Sequence, residues 1–405
     1  MAPPTLLSLP PEIREQIYRE CVQIESIQDE ESFSIYKPDL AILSVNQLTH
    51  REAKKIFQEE NVFVKIETPW PEASEHVLIE DHIPLAMKCS RASSFDKVHL
   101  RVSIECQDMP APGLLYSMVI LCKDLAMLTR SWNFSDLDHR RLNAHIKLHL
   151  FLQDPHVPNR EISKSLQERL LLPFGMIKGL KGYDLEGMIL PSVKETLEAR
   201  AQTPNLTPEE CIGLASYLKD TGNELIKANK CAAAIQFYFD AFKAIHIIVD
   251  GRIRTVYANG FFEHYLTSGE FVNQPADYVR MVLRIKLVAN ILLAYLKLSE
   301  WAEAYFWGRR TIMLYQDSIT DENLLGDPTE TDWLRTPTVI SSPEMGKIYF
   351  RTSQAAKMLR KVDEVNSLVK AAAMCLPRDE AVKKELCASK SHSRATGTHA
   401  EAGNV

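Results

Sequence analysis

Five polar side chains in the C-terminal half have types and spacing that suit the binding of carboxylates. Lys219 and Asn223 are four residues apart, Lys347 and Arg351 are four apart, and Asn290 interrupts an apolar run. A four-residue spacing places two side chains on one face of a helix. Lysine and arginine neutralise carboxylates, arginine through a planar fork, and asparagine donates from its amide. The set therefore predicts a site for an extended peptide that ends in carboxylates.

An internal repeat predicts the helices that must position these side chains. Corresponding residues, most of them small or apolar, recur in three segments at offsets of 0, 12, 16 and 19, and the third segment ends in a proline at offset 24. The positions are Gly222, Ala234, Tyr238 and Ala241; Leu292, Ala304, Gly308 and Thr311; Ser353, Val365, Val369, Ala372 and Pro377. Small residues allow two antiparallel helices to approach closely, and proline ends a helix. We expect three helical hairpins; agreement of three registers argues against an unrelated helical bundle.

The repeat also sets the direction of the five polar side chains. With the residue at offset 0 as origin and a step of 100° per residue, all five fall within an arc of about 100° on the first helices of the hairpins. They therefore should share one face of the stack. The alternative is that the cations are ordinary solvated residues and that Asn290 satisfies a core group, which would make the stack an inert scaffold.

The repeat resembles the tetratricopeptide family, most clearly in the first segment, GNELIKANK followed by AAAIQFY. Gly308 stands where the family has an aromatic residue, and Val365 where it has alanine. The five polar residues match the dicarboxylate clamp of tetratricopeptide co-chaperones, which binds the acidic C-terminal tail of cytosolic heat-shock chaperones. The resemblance implies that Lys219, Asn223 and Asn290 meet the terminal carboxylates. It implies that Lys347 and Arg351 meet an acidic side chain of the peptide or its backbone.

Two insertions separate the predicted hairpins, near 249–284 and 319–345. The first resembles the elongated first hairpin of the immunophilin-type co-chaperones. The second, DENLLGDPTETDWLRTPTVISS, has the composition of a long surface loop. Apart from that loop, every segment from residue 207 to 387 is predicted to be helical. The region 206–386 is thus expected to be an all-α array of three hairpins, and 388–405 a disordered tail.

The N-terminal segment carries a second candidate site. It resembles the F-box-like region of a large class of fungal proteins, through two stretches of matching residues. These are Leu9, Pro10, Pro11, Glu12 and Ile13, followed by Leu43, Val45, Glu52, Ala53, Phe57, Glu60, Asn61 and Phe63. The resemblance implies that Leu9, Pro10, Ile13 and Ile17 dock onto a Skp-type adaptor of a cullin ubiquitin ligase, with the repeats binding substrate. Alternatively, this apolar stripe, with Tyr18, builds the core of its own domain.

The remaining N-terminal sequence predicts a mixed fold. Residues 1–70 are expected to be an F-box-like helical segment with one strand, and 71–200 a small α/β or α+β region. Within it, alternation predicts strands at 95–104 and 145–153. Residues 113–128, GLLYSMVILCKDLAML, are expected to be a helix, as are 163–174 and 190–201, and residues 201–206 a linker.

A non-enzymatic adaptor is expected, because neither composition nor motifs indicate catalysis or binding of nucleic acid. The formal net charge is −6, which does not favour nucleic acid or an acidic membrane surface as a partner. Eight cysteines without a CxxC pair are typical of free thiols in the cytoplasm or nucleus. His145 and His149 have a spacing that ligates zinc on a helix, but their segment alternates like a strand. No P-loop or GxSxG motif is present, so neither a cofactor nor a catalytic residue is expected.

Overall fold

The structure is a computed structural model that describes residues 6–28, 34–37, 39–107, 115–139, 142–157, 159–322 and 342–397. The chain divides into two compact units, Met1–Asn205 and Leu206–Val405. The first unit is α+β and the second is a helical array, as the sequence predicts for the two halves.

The first unit combines seven α-helices with eight strands among its described residues. Its helices are α1 (Pro11–Val22), α2 (Gln47–Glu60), α3 (Ala73–Glu75), α4 (Cys89–Ser94), α5 (Leu125–Asp138), α6 (Lys164–Leu171) and α7 (Pro191–Gln202). Its strands are β1 (Glu25–Gln28), β2 (Ser34–Lys37), β3 (Phe63–Thr68), β4 (Met87–Lys88), β5 (Leu100–Cys106), β6 (Tyr116–Leu121), β7 (Ile146–Leu152) and β8 (Gly182–Glu186). Strands β5 and β7 and helices α6 and α7 lie where the sequence predicts a strand or a helix.

Six strands form one mixed sheet in the order β4-β6-β3-β5-β7-β8. Strand β3 pairs in parallel with β5 and antiparallel with β6, and β7 pairs in parallel with β8. Strand β3 lies inside this sheet, so residues 1–70 contribute a strand to the same compact unit as residues 71–200. Alternate residues of β5 and β7 are buried, which is the pattern of strands that cover a core with one face.

The helix predicted over residues 113–128 is wrong. Residues Tyr116–Leu121 form β6, a 3₁₀ turn follows at Cys122–Asp124, and α5 begins only at Leu125. Strand β6 lies between β4 and β3, and five of its six residues are buried. A strand that is buried on both faces has a continuous apolar run, and such a short run cannot be told from a helix by periodicity.

The apolar stripe predicted on α1 is not the face that the helix buries. Tyr18 and Val22 are buried against Ala53 and Ile56 of α2. Ile13 is 42% exposed and Cys21 is also exposed. Polar contacts also join the two helices, because Arg14 donates to both carboxylate oxygens of Glu52 at 3.0 and 2.7 Å. The Tyr18 hydroxyl donates to the same carboxylate at 3.1 Å.

The second unit contains three helical hairpins and a further helix among its described residues. Its helices are α8 (Pro208–Lys227), α9 (Cys231–Ala244), α10 (Ala276–Lys297), α11 (Trp301–Glu322), α12 (Ser342–Met358), α13 (Val362–Cys375) and α14 (Glu380–Gly397). The hairpins are α8–α9, α10–α11 and α12–α13, and α14 packs on α13. Helix α8 begins with a capping box, in which Thr207 and Glu210 satisfy each other's backbone N–H groups.

The same turn closes each of the three hairpins. Asn229, Ser299 and Arg360 lie at offset 7 from the start of each repeat and have φ of 60°, 63° and 60°. The amide at offset 8 donates to the carbonyl at offset 3 in all three, at 2.8, 2.9 and 2.9 Å. This is the Schellman arrangement that ends a helix through one left-handed residue. The shared backbone geometry confirms the repeat register that the sequence predicts.

Close contacts explain two glycines of the repeat. A β-carbon at Gly222 would overlap the ring of Tyr238, so only glycine lets α8 and α9 approach this closely. A β-carbon at Gly308 would overlap the Thr352 side chain. Helix α11 therefore packs on α12 where the tetratricopeptide pattern has an aromatic residue, which accounts for the departure at Gly308.

The prediction that the first insertion is helical is wrong. Residues Ile247–Asp250 and Ile253–Val256 form an antiparallel pair, β9 and β10, and α10 begins only at Ala276. Arg280 of α10 anchors this insertion, because its guanidinium donates to the carbonyls of Ile245 and Tyr257 at 3.0 and 2.6 Å. An anchor of this kind joins residues far apart in sequence, and local propensity does not reveal it.

The C-terminal boundary also differs from the prediction. Helix α14 continues to Gly397, so the expected disordered tail starts inside a helix, and residues 398–405 lie outside the described residues. Most of the expected surface loop, 323–341, lies outside them as well. None of the described helices has the length and apolar character needed to cross a membrane.

Candidate peptide-binding face

Two asparagines from neighbouring hairpins meet on the second unit. The Asn290 side chain on α10 donates to the Asn223 carbonyl oxygen on α8 at 2.7 Å. The Tyr238 hydroxyl donates to the same oxygen at 3.0 Å. Both asparagines are half-buried. Each amide nitrogen carries two N–H groups, so the pair retains a donor that is not used in the Asn223–Asn290 bond.

Arg351 lies beside this pair and carries its charge without an acidic partner among the described residues. Its guanidinium donates to the backbone carbonyl of Ala289, the residue before Asn290. Burial lowers the pKa of Arg351 to about 10. Burial also raises the pKa of the adjacent Tyr238 to about 12, against the effect of the Arg351 charge, so the phenol stays protonated at neutral pH. A half-buried cation without a carboxylate is a favourable site for a ligand carboxylate.

Lys219 is held by an acid that the sequence analysis did not consider. Its ammonium nitrogen lies 3.0 Å from a carboxylate oxygen of Asp220. The Asn223 amide nitrogen donates to that same oxygen at 3.3 Å. Asp220 therefore contacts two of the five predicted binding residues with a carboxylate, the group that the ligand is expected to bring. Its side chain is 66% exposed and can rotate away from them.

Lys347 is exposed on α12, one turn before Arg351. No hydrogen bond joins it to the other four residues in the described part of the chain. The fold thus gathers Asn223, Asn290 and Arg351, holds Lys219 next to Asn223 through Asp220, and places Lys347 on the same helix as Arg351. Sequence reasoning missed Asp220 as a competitor and the hydroxyl of Tyr238 as a partner of Asn223. The position of Tyr238 in the repeat, opposite the helix that carries Asn223, was the available signal.

The N-terminal candidate residues lie mainly at the surface of the first unit. Pro10 and Ile13 are exposed, and Leu9 and Ile17 are half-buried. None of the four belongs to the buried cluster that joins α1 and α2. Leu7 and Val45, 45% and 59% exposed, add further apolar surface in the same segment.

Part of the chain is similar in structure to a solved protein domain. No protein-family model matches the chain, and no curated protein matches it. Among solved structures, it is similar to the C-terminal TPR-containing domain of an FK506-binding protein from Plasmodium falciparum, at 16% sequence identity. The likeness covers 48% of this chain and 97% of that chain, with a TM-score of 0.30. Likeness at this level assigns neither a ligand nor a partner to the chain.

Proposed function

We propose that the second unit binds an extended peptide by its acidic C-terminus and that the protein is a non-enzymatic adaptor. The observation that carries the proposal is the Asn223–Asn290 hydrogen bond of 2.7 Å, which joins two hairpins beside the unpaired Arg351 charge. Amides and a cation at one place supply donors to a carboxylate and a charge that neutralises it.

The five residues have distinct roles in this proposal. Asn223 and Asn290 donate to the terminal carboxylate, and Lys219 neutralises it after Asp220 turns away. Arg351 contacts the peptide backbone or a second carboxylate next to the asparagine pair. Lys347 is exposed and contributes charge without a fixed hydrogen bond. The partner that fits this chemistry, and that the resemblance to co-chaperones implies, is the acidic tail of a cytosolic heat-shock chaperone.

A peptide with a single chemical change tests the proposal. An eight-residue peptide ending in aspartate is compared with the same peptide amidated at its C-terminus, by fluorescence anisotropy. The free-acid form is expected to bind at least tenfold more tightly, since one charge-assisted hydrogen-bond network is worth about 1.5–3 kcal/mol. Equal affinities of the two forms would show that the terminal carboxylate is not recognised.

Variants on α12 locate the binding face. Lys347→Ala should weaken binding of the free-acid peptide, and the control Lys357→Ala should not. Lys357 lies on the same helix but pairs with Glu385 at 2.5 Å. If both lysine variants weaken binding equally, the effect comes from net charge and not from the proposed face. If the second unit binds neither form of the peptide, it is an inert scaffold, the alternative interpretation of the five polar residues.

The first unit supports a second candidate function, that of an F-box-like receptor which binds a Skp-type adaptor. The observation in its favour is the apolar surface around Ile13, a residue that is itself 42% exposed. Removing residues 1–35 would be a poor test, because it deletes Tyr18 and Val22 from the core. Ile13→Asp is therefore compared with Gln16→Asp in binding to a purified adaptor. Loss of binding only in Ile13→Asp supports the function, and unchanged binding in both variants refutes it.

A further inference from the structure

Three arginines from different elements of the second unit form a cluster that has no acidic partner among the described residues. Arg254 lies on β10, Arg284 on α10 and Arg310 on α11. Only 7% of Arg254 is exposed, and its Nη1 is buried without a hydrogen-bond partner. Buried arginines are normally paired with carboxylates or carbonyls, because a buried unpaired charge is costly. An unpaired buried guanidinium therefore requires an explanation.

The surrounding contacts bring two of these side chains, Arg254 and Arg310, to the same place. Arg254 lies over the ring of Trp307, with its guanidinium carbon 5.9 Å from the ring centre. Arg310, one turn after Trp307 on α11, donates to the backbone carbonyl of Arg252 on the turn before β10. Helix α11 thus presents Trp307 and Arg310 to the β-hairpin that carries Arg254.

Helix α10 brings the third arginine to the same place. Arg280 binds the carbonyls at both ends of the β-hairpin region, those of Ile245 and Tyr257. Arg284 lies one turn further along α10 and so on the same face. No hydrogen bond or ion pair to Arg284 is present in the described part of the chain. Arg280, by contrast, donates to four acceptors, as is expected of a buried arginine whose role is structural.

The electrostatics agree with this placement. The pKa of Arg254 is lowered to about 9, first by burial and then by the charges of Arg284 and Arg310. Burial and the Arg310 charge also lower the pKa of Arg284. Glu303, which lies on the same helix as Arg310, is bound to Arg252 at 2.5 Å. The cluster is therefore a set of like charges that repel one another and that no described carboxylate neutralises.

We infer that Arg254, Arg284 and Arg310 form a binding site for a phosphate group. Three guanidinium groups offer several forked donors and a charge of about +3, which suits a tetrahedral dianion better than a single carboxylate. Arg284 and Arg310 are half-buried, so the site is open to solvent on one side. Arg310 also lines an open pocket of about 590 Å³ with Tyr305 and Phe306, which gives room for the group that carries the phosphate.

The site is separate from the proposed peptide-binding face. Lys219, Asn223, Asn290, Lys347 and Arg351 share no side-chain contact with the three arginines. Phosphate binding by the arginines therefore neither requires nor supports carboxylate binding at the other face. Either proposal can be refuted without the other.

Thermal unfolding with inorganic phosphate tests the inference. The wild type is compared in 10 mM phosphate and in sodium chloride of equal ionic strength. A ligand at 100 times its Kd should raise Tm by about 5–11 °C in a unit of this size. In Arg284→Met this rise should disappear, while Tm without phosphate should equal or exceed that of the wild type, because the repulsion is relieved. The control is Arg309→Met. Arg309 is next to Arg310 in sequence but pairs with Glu364, so this variant should retain the full rise in Tm.

Two further arms decide what carries the phosphate. A peptide with one phosphoserine is titrated against its serine counterpart, in wild type and in Arg284→Met. Tighter binding of the phosphoserine form by at least tenfold, lost in Arg284→Met, indicates a phosphate on a protein side chain. A response to inorganic phosphate alone indicates a small phosphate-bearing molecule. The inference is overturned if wild type responds to neither probe beyond the chloride control, or if Arg284→Met responds as fully as wild type.

Discussion

Asp220 gives the most specific prediction about the peptide-binding face. Its carboxylate lies 3.0 Å from the Lys219 ammonium and 3.3 Å from the Asn223 amide, two groups that we propose bind the ligand. Asp220→Asn removes the negative charge and keeps the size of the side chain. Two effects should then favour an acidic peptide: Lys219 is no longer engaged, and the incoming carboxylate is no longer repelled.

The magnitude follows from the exposure of the pair. Asp220 is 66% exposed, so its ion pair with Lys219 contributes only about 0.2–1 kcal/mol. Repulsion between Asp220 and a ligand carboxylate about 6 Å away in water adds about 0.7 kcal/mol. A total near 1 kcal/mol corresponds to binding that is about fivefold tighter. The gain should shrink with added salt and nearly vanish at about 1 M, where the Debye length is about 3 Å.

The assay is fluorescence anisotropy of the free-acid peptide at low and high salt. Asp240→Asn is the matched control, because Asp240 also pairs with a lysine, Lys243, at 2.9 Å but lies on α9. The control should bind like the wild type. If Asp220→Asn binds no more tightly than the wild type at low salt, with an unchanged Tm, then Lys219 and Asn223 do not contact the ligand carboxylate.

Two predictions concern the packing that supports each unit. Gly222→Ala should lower the free energy of unfolding by about 1–3 kcal/mol, because its methyl group overlaps the Tyr238 ring. The control is Gly213→Ala, on the same helix and facing open space, which should instead raise the free energy of unfolding by roughly 0.8–1 kcal/mol. Urea denaturation measures the free energy of unfolding of both variants. Equal effects of the two substitutions would refute the predicted close approach of α8 and α9. The hydrogen bonds from Arg14 hold the pKa of Glu52 below its usual value, so the stability that this carboxylate contributes is present above about pH 4–5 and lost as pH falls. Glu52→Gln should therefore lower Tm at pH 7 and make Tm less dependent on pH in the acid range, and an unchanged pH profile would contradict this role.

Sequence periodicity correctly predicted two kinds of element: strands that are buried on one face, and helices whose buried positions recur in each hairpin. Helices α8 to α13 follow a register shared by three segments, and their turns at Asn229, Ser299 and Arg360 have the same backbone geometry. Strands β5 and β7 alternate because one face is buried. In these cases the local pattern and the tertiary environment impose the same period, so the local pattern was sufficient.

The wrong predictions of secondary structure and burial have a common cause, which is contact between residues that are distant in sequence. Strand β6 was predicted as a helix because its two neighbours in the sheet bury both of its faces. Helix α1 buries Tyr18 and Val22, and not the stripe of Ile13, because α2 packs on that side. The β-hairpin β9–β10 is anchored by Arg280, which is about 25 residues away in sequence.

The candidate site shows the same division. Angles on a helical wheel placed Asn223 and Asn290 on one face, and they form a hydrogen bond. The wheel could not reveal that Asp220 would turn towards Lys219, because side-chain rotation is not set by helical periodicity. The arginine cluster was missed entirely, since its members lie on a strand and two helices and no single periodicity relates them.

The most direct test of the proposed function is isothermal titration calorimetry of the free-acid peptide against the wild type and the Lys347→Ala/Arg351→Ala double variant. Arg351 lies beside the asparagine pair and Lys347 lies one turn away, so their joint loss removes both cations that α12 contributes to this face. With the fold intact by circular dichroism, we expect the double variant to bind at least tenfold more weakly, because the half-buried Arg351 contributes about 1.5 kcal/mol and the exposed Lys347 about 0.2–1 kcal/mol. Unchanged affinity of a folded double variant would contradict the carboxylate-binding face.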